Sequence, residues 1–186
     1  MTDRRRVVVV AALAIEAAHV PDGVEVVLSG LGKSSAAAAT AELIAERGAG
    51  AVEVWNVGTA GALRDGLAGI QLPGRVLNHD LNADAIRALG VDPLDELPVL
   101  GGGEVLLASG DVFVADPVRR AQLADRAHLV DMEAYGVVLA CRRRDVPVRV
   151  VKHVSDQADE AAMDWADAVD ASARDLGAWL AANLPT

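Results

Sequence analysis

Short apolar runs alternate along this chain with longer segments in which apolar positions recur at helical spacing. Val7–Leu13 is a continuous, valine-rich run, which is typical of a strand covered on both faces. The alanine-rich segment Ser34–Arg47 turns Leu43 and Ile44 to one side and stops at Gly48, so it is predicted to be a helix. Strands alternating with helices predict an α/β fold, a three-layer sandwich with a mixed, largely parallel central sheet flanked by helices.

The rest of the chain continues this alternation. Further strands are predicted at Val24–Leu28, Val52–Val57, Ile70–Leu77, Val105–Ala108, a short "HLV" run, and Val148–Val154. Further helices are predicted after an Asp116 cap with Pro117 at the first position, at Glu133–Arg144, and at Asp159–Leu184 with Trp165, Val169, Leu176 and Leu180 on one stripe. Asn78–Gly103 is predicted to be loop-like. No repeat or linker divides the chain, so residues 1–186 are expected to form a single domain.

Composition and charge narrow the functional classes. A length of 186 residues with 52% hydrophobic side chains is ample for a core, although only 3% are aromatic. The net charge of −10 argues against nucleic acid and anionic membranes as partners. Cys141 is the single cysteine, which excludes an internal disulfide framework and favours a cytoplasmic location.

The first residues resemble an export signal, because three arginines precede an apolar stretch. Glu16 interrupts that stretch, and a turn leads directly into the next predicted strand, so a first strand is the favoured interpretation. No segment approaches the roughly 20 apolar residues that cross a bilayer.

Polar or glycine-rich segments follow most of the predicted strands. In open α/β sheets, ligands bind outside the carboxyl ends of the strands, so we expect these segments to line one cleft. They are Glu16, "SGLGKSS", "NVGTAGAL", "SGDVFV", "DMEAYG" and "KHVSDQAD".

Taken singly, these segments are ambiguous. "GLGKSS" is not a P-loop, because Val27 stands where the first glycine of that motif belongs; its free N–H groups could hold a small anion or simply begin a helix. In the turn expected at "NVGTAGAL", Thr59 could hold a water, a phosphate or a sugar hydroxyl. Asp156, at the end of a valine-rich strand, suits either a general acid or a helix cap.

Together, five of these motifs, in this order between residues 29 and 159, resemble the nucleoside phosphorylase/nucleosidase superfamily, and within it the methylthioadenosine/S-adenosylhomocysteine nucleosidases. The resemblance implies hydrolysis of the N-glycosidic bond of a purine nucleoside such as methylthioadenosine, adenosylhomocysteine or a related 5′-substituted nucleoside. It implies a small nucleoside as the partner, no cofactor and a homodimer. No metal is expected, because the four histidines show no metal-ligand spacing.

The resemblance also assigns catalytic roles to residues of this chain. Glu16 would bind and orient the attacking water, with Thr59 beside that water in a position where serine is usual. Asp156 would protonate the purine at N7, and Ser155 would steady that acid. Lys152 stands where the family has an arginine that neighbours the water or phosphate.

The remaining implied contacts surround the base and the sugar. Phe113 would stack on the base, and the backbone of Val114 would read its edge. Glu133 would accept hydrogen bonds from the ribose hydroxyls, a role suited to the two oxygens of a carboxylate, and Met132 would pack on the ring. Asp131 stands where a glutamate is common, and its role stays open.

Some features depart from the family. Only about seven residues separate Glu16 from the second strand, Gln71–Gly103 is compact, and Lys152 lacks the planar fork of an arginine. Recognition of the 5′ substituent therefore stays open.

Two alternative functions remain, a phosphate-dependent purine nucleoside phosphorylase and a catalytically inactive nucleoside-binding protein. The charge of Glu16 would repel a phosphate dianion, and a mere binder needs neither Glu16 nor Asp156, so hydrolysis is favoured.

Overall fold

The computed structural model describes residues 5–159 and 165–185. The strands among them are β1 (Arg6–Ala11), β2 (Glu25–Leu28), β3 (Val52–Ala62), β4 (Gly69–Gln71), β5 (Arg75–Asn78), β6 (Glu96–Pro98), β7 (Leu106–Ser109), β8 (Leu129–Asp131) and β9 (Val148–Asp156). The helices are α1 (Lys33–Arg47), α2 (Ala83–Ala88), α3 (Pro117–Ala124), α4 (Ala134–Arg142) and α5 (Trp165–Asn183).

The strands form one mixed sheet in the order β2-β1-β3-β8-β7-β5-β6, and β9 pairs with β3 and β4. β2, β1, β3 and β9 run parallel to one another, as do β8, β7 and β5. These two groups meet where the end of β3 pairs antiparallel with β8, and β4 and β6 are also antiparallel to their partners. The predicted mixed, largely parallel sheet is confirmed.

The valines of β1 show why the strand is apolar throughout. Val8 and Val10 pack into a core with residues of α1 and α4, whereas Val7 and Val9 pack into a second core with residues of α5. Burial of both faces removes the polar alternation that a half-exposed strand would show. This confirms the prediction that the N-terminal run is a strand between two helical layers.

Two parts of the predicted element order were wrong. Ile70–Leu77 is not one strand, because Pro73 and Gly74 divide it into β4, which pairs with β9, and β5, which pairs with β6 and β7. A proline has no N–H to donate to a sheet. The segment predicted as a loop contains α2, which Asn82 caps, and β6. Both are too short to show periodicity in the sequence.

β3 is longer than predicted, so "NVGTAGAL" is mostly strand and not a turn. The strand continues to Ala62 because its last residues pair with both β8 and β9. At the other end of the chain, the buried stripe of α5 includes Val169, Leu176 and Leu180. Asp159 lies in a bend, while residues 160–164 and the side chain of Trp165 lie outside the described part.

Helix α4 crosses the first turn of α1 at a glycine. A Cβ at Gly136 would overlap the carbonyl oxygen of Lys33, so only glycine allows this approach. The crossing brings Glu133, the residue before α4, next to the start of α1.

The described residues contain no helix long and apolar enough to cross a membrane.

We predict that Gly136→Ala destabilises the fold, because the added methyl group forces α1 and α4 apart. Overpacking of this kind costs about 1–3 kcal/mol, which corresponds to roughly 2–10 °C in Tm for a chain of this size. Gly50→Ala is the matched control, because a Cβ there meets nothing within 4 Å. Thermal unfolding of the two variants checks this, and equal melting temperatures would contradict the tight crossing.

Candidate active site

A cavity of about 190 Å³ opens where the ends of β3, β8 and β9 meet. Segments that are far apart in sequence contribute to it, as expected for the cleft of an α/β sheet. Its lining comprises Ala12, Leu13, Glu16, Leu31, Thr59, Ala60, Gly61, Val112, Phe113, Val114, Val130, Asp131, Met132, Glu133, Ser155 and Asp156. Of the sequence-predicted site residues, only Lys152 is missing from this wall.

Glu16 is fixed over the middle of β3. Its Oε1 accepts hydrogen bonds from the N–H of Thr59 at 2.8 Å and from the Thr59 hydroxyl at 2.9 Å. The N–H of Leu13 lies 3.3 Å from Oε2. A Cβ at Gly58 would lie 2.9 Å from Oε1, so this glycine leaves the space in which the carboxylate lies.

Asp156 reaches the cavity through a β-bulge. Ala60 of β3 is paired with Val154 and Gly61 with Asp156, so Ser155 is an extra residue in β9. The Ser155 hydroxyl donates to Oδ2 of Asp156 at 2.7 Å, and the N–H of Ala158 donates to Oδ1 at 2.8 Å.

The second glycine of the β3 motif lies under this carboxylate. A Cβ at Gly61 would lie 2.8 Å from Oδ1 of Asp156. The two glycines of "GTAG" therefore keep a flat strand surface beneath two carboxylates. This explains a motif for which the sequence had suggested a turn.

Glu133 lies at the end of α4 that faces α1. Its Oε1 accepts a hydrogen bond from the N–H of Gly32 at 2.9 Å, and the residue is only 7% exposed. Burial, and next the negative charge of Asp131, raise the pKa of Glu133 from 4.5 to about 7, although Lys152 acts in the opposite direction.

Apolar side chains complete the wall. Met132 is half-buried between the two carboxylates, and Val114 is buried, whereas Phe113 is 50% exposed at the mouth. An apolar wall with an aromatic ring, beside several hydrogen-bond acceptors, is the arrangement expected of a site for a planar, polar-edged ligand.

Lys152 does not line the cavity, contrary to the expectation that it contacts substrate. Its side chain is 2% exposed, and its Nζ lies 2.9 Å from Oδ2 of Asp131. Burial by itself would lower the pKa of Lys152, but Asp131, Glu133 and Glu16 together raise it. The lysine is thus a buried cation behind three carboxylates of the site.

Asp131, whose role the sequence left open, is the hub of this arrangement. Besides Lys152, it accepts hydrogen bonds from the Ser109 hydroxyl at 2.5 Å and the N–H of Ala134 at 3.0 Å. Ser109 Oγ in turn accepts from the N–H of Tyr135 at 3.0 Å. These bonds join β7, β8, β9 and the first turn of α4.

The free N–H groups expected at "GLGKSS" are occupied by side chains of the protein itself. Gly32 donates to Glu133, and the N–H of Lys33 donates to Oδ1 of Asp111 at 2.8 Å. The start of α1 therefore orients two carboxylates at or near the cavity.

Sequence reasoning missed several residues that shape the site. Ala12, Leu13, Leu31, Val112 and Val130 lie beside predicted residues in the chain, but as small or apolar side chains they carry no chemical signal. No group of three or more histidine, cysteine or carboxylate side chains among the described residues could hold a metal ion.

The sequence of this chain matches a known family and its members. Residues 103–183 match the family described as the phosphorylase superfamily. The 5′-methylthioadenosine/S-adenosylhomocysteine nucleosidase of Shewanella piezotolerans is 32% identical over 171 residues, covering 77% of this chain and 74% of that protein.

Two solved structures share the fold. The 5′-methylthioadenosine/S-adenosylhomocysteine nucleosidase of Helicobacter pylori superposes with a TM-score of 0.85 at 23% identity, covering 97% of this chain and 98% of its own. Futalosine hydrolase of the same organism superposes with a TM-score of 0.83 at 23% identity, covering 96% of each chain. On the strength of the sequence match, this chain belongs to the nucleoside phosphorylase/nucleosidase superfamily and is similar to its methylthioadenosine/S-adenosylhomocysteine nucleosidases.

Proposed function

We propose that this protein is a nucleosidase that hydrolyses the N-glycosidic bond of a purine nucleoside and releases the free base and the sugar. The observation that carries the proposal is the placement of two separately held carboxylates, Glu16 and Asp156, on one cavity with an apolar wall. Breaking an N-glycosidic bond needs an acid at the departing base and an activated water at the sugar. Two carboxylates perform these tasks in glycosidases.

Asp156 serves the base. As the bond between C1′ of the sugar and the purine breaks, its electron pair moves onto the base, and Asp156 gives a proton to N7. The base then leaves as a neutral molecule. The Ser155 hydroxyl and the N–H of Ala158 hold the two oxygens of Asp156 in place and accommodate the carboxylate that remains.

Glu16 serves the water. The sugar develops oxocarbenium character, the water oxygen bonds to C1′, and the water gives its proton to Glu16. Thr59 donates both its N–H and its hydroxyl to Oε1, which fixes the direction of the carboxylate. Glu133 accepts hydrogen bonds from the ribose hydroxyls, Met132 packs on the sugar, and the base stacks on Phe113 near the backbone of Val114.

The charge of the site favours water over phosphate. The ionisable side chains on the cavity wall are Glu16, Asp131, Glu133 and Asp156, and all of them are acids. The ammonium of Lys152 lies behind them, but it is buried and paired with Asp131. A phosphate dianion would be repelled by this set, whereas a neutral water is held by a carboxylate.

The substrate class comes from the relatives. Proteins named for 5′-methylthioadenosine and S-adenosylhomocysteine match the sequence, and a futalosine hydrolase shares the fold. Methylthioadenosine is the first substrate to test, followed by adenosylhomocysteine and futalosine.

We also propose that the chain acts as a single domain, as a homodimer, in the cytoplasm. One sheet running through the described residues supports a single unit. Exposed apolar side chains on the cavity wall, Leu31, Val112 and Phe113, support an interface there. The single cysteine supports a reducing compartment. Sedimentation of the purified chain as a monomer would exclude the dimer.

The function is tested by incubating the purified chain with methylthioadenosine in phosphate-free buffer and following free adenine. We expect release by the wild type and a loss of turnover of about 10²-fold or more in Asp156→Asn, with nucleoside binding retained, because the general acid is gone. Asp170→Asn, at an exposed ion pair on α5, is the control. If Asp156→Asn turns over like the wild type, Asp156 only shapes the turn at Ala158.

The raised pKa of Glu133 predicts a pH dependence. An ionised Glu133 accepts two ribose hydroxyls, so kcat/KM should rise with pH through about 7 and this rise should be absent in Glu133→Gln.

Since the folded protein holds this proton more tightly than the unfolded chain, the unliganded fold should also lose stability as pH rises from 4.5 to about 7.

The same variant tests the contact with the sugar. Glu133→Gln should lower kcat/KM by about 10-fold or more on ribonucleosides and by less on 2′-deoxynucleosides, because hydrogen bonds to a charged acceptor are lost. Equal losses on both sugars would remove Glu133 from the ribose site.

A further inference from the structure

Three charged residues outside the cavity wall form a closed set of contacts beside it. Lys33 is the first residue of α1, Asp80 follows β5, and Asp111 follows β7. The Nζ of Lys33 makes a short contact with Oδ1 of Asp80, and the N–H of Asp111 donates to Oδ2 of Asp80 at 2.8 Å. Oδ1 of Asp111 accepts from the N–H of Lys33 at 2.8 Å, and its Oδ2 lies 3.5 Å from Nζ.

Partial burial makes the contact between Lys33 and Asp80 stronger than an exposed ion pair. The side chains of Lys33 and Asp80 are only 13% and 23% exposed. Burial by itself would raise the pKa of Asp80, but Lys33 and the N–H of Asp111 hold it below its usual value. Asp80 is thus ionised near neutral pH and accepts charge-assisted hydrogen bonds with both oxygens.

On one side, this set holds the segment that carries the aromatic wall of the cavity. Asp111 is followed directly by Val112, Phe113 and Val114, and the first two are 46% and 50% exposed. Behind Asp111, the ring of the buried His79 occupies the space that a Cβ at Gly110 would need. Residues 109–111 are therefore fixed by the packing of Gly110 on the His79 ring and by the hydrogen bonds of Asp111 with Asp80 and Lys33.

On the other side, the same set meets the sugar end of the cavity. Lys33 follows Gly32, whose N–H donates to Glu133 at 2.9 Å. The carbonyl of Lys33 is in close contact with Gly136 of α4. A displacement of Lys33 would therefore alter the hydrogen bonds of both Asp111 and Glu133.

We propose that Lys33, Asp80 and Asp111 act as a latch that couples the base-stacking segment 112–114 to the ribose carboxylate Glu133. None of the three contacts the reacting atoms, so they are positioning residues. The latch sets the distance between the surface that stacks on the base and the acceptor that holds the sugar. This role rests on the proposed function only for its kinetic consequences, because the coupling itself is a property of the unliganded protein.

Hydrogen exchange of the unliganded protein tests the coupling independently of activity. In Asp80→Asn we expect the N–H groups of Asp111, Lys33 and Gly32 to exchange about 10-fold faster or more, because the charged acceptor that closes the set is lost. Asp84→Asn, which removes an exposed ion pair with Arg87 on α2, should leave all three rates unchanged. Faster exchange at Asp111 with an unchanged rate at Gly32 would overturn the coupling.

The kinetics of base release test the positioning role, by comparing Asp80→Asn with the wild type. Asp80→Asn should raise KM about 10-fold with a smaller change in kcat, because stacking of the base is weakened before and during the reaction. In a Phe113→Ala background the same substitution should change KM less than about 2-fold. An equal change in KM in both backgrounds would show that Asp80 does not act through the stacking segment. An inactive wild type would overturn the proposed function, and the hydrogen-exchange result alone would then decide the coupling.

Discussion

The buried ammonium of Lys152 is the charge around which this site is organised. An uncompensated charge in a protein interior costs several kcal/mol, so a lysine with 2% of its side chain exposed needs anionic neighbours. Asp131 supplies the direct partner at 2.9 Å, and Glu16 and Glu133 add their fields. Asp131 and Glu133 are tolerated at this buried strand end because the buried ammonium of Lys152 lies beside them.

This arrangement has chemical consequences at both ends of the cavity. One lysine cannot compensate three carboxylates fully, and Glu133 is the residue whose pKa rises to about 7 as a result of burial and the charge of Asp131. Glu16 receives hydrogen bonds from Thr59, and Asp156 lies at the far end of the bulged β9 with donors of its own. The site thus holds each acid in a different environment, which lets similar groups take different roles in a nucleosidase.

Much of this could be read from the sequence, and the exceptions have physical reasons. The valine runs predicted β1 and β9 because both faces are covered. The family resemblance named most of the polar residues of the cavity wall, but not apolar ones such as Ala12, Leu13 and Val130. The strand character of "NVGTAGAL" was missed because its glycines are required by the carboxylates of Glu16 and Asp156, which are distant in the chain. The position of Lys152 behind Asp131 was missed because residue type does not reveal which partner a side chain faces. The short elements α2 and β6 lack a period, so pattern alone could not find them.

The proposal that a carboxylate-held water attacks the sugar is tested most directly by identifying the sugar product over a series of phosphate concentrations. Mass spectrometry of the reaction with methylthioadenosine distinguishes the free sugar from its 1-phosphate. The account predicts free sugar as the product at every phosphate concentration, at a rate that phosphate does not increase. A sugar 1-phosphate that appears in proportion to added phosphate would contradict it and assign Glu16 a different role.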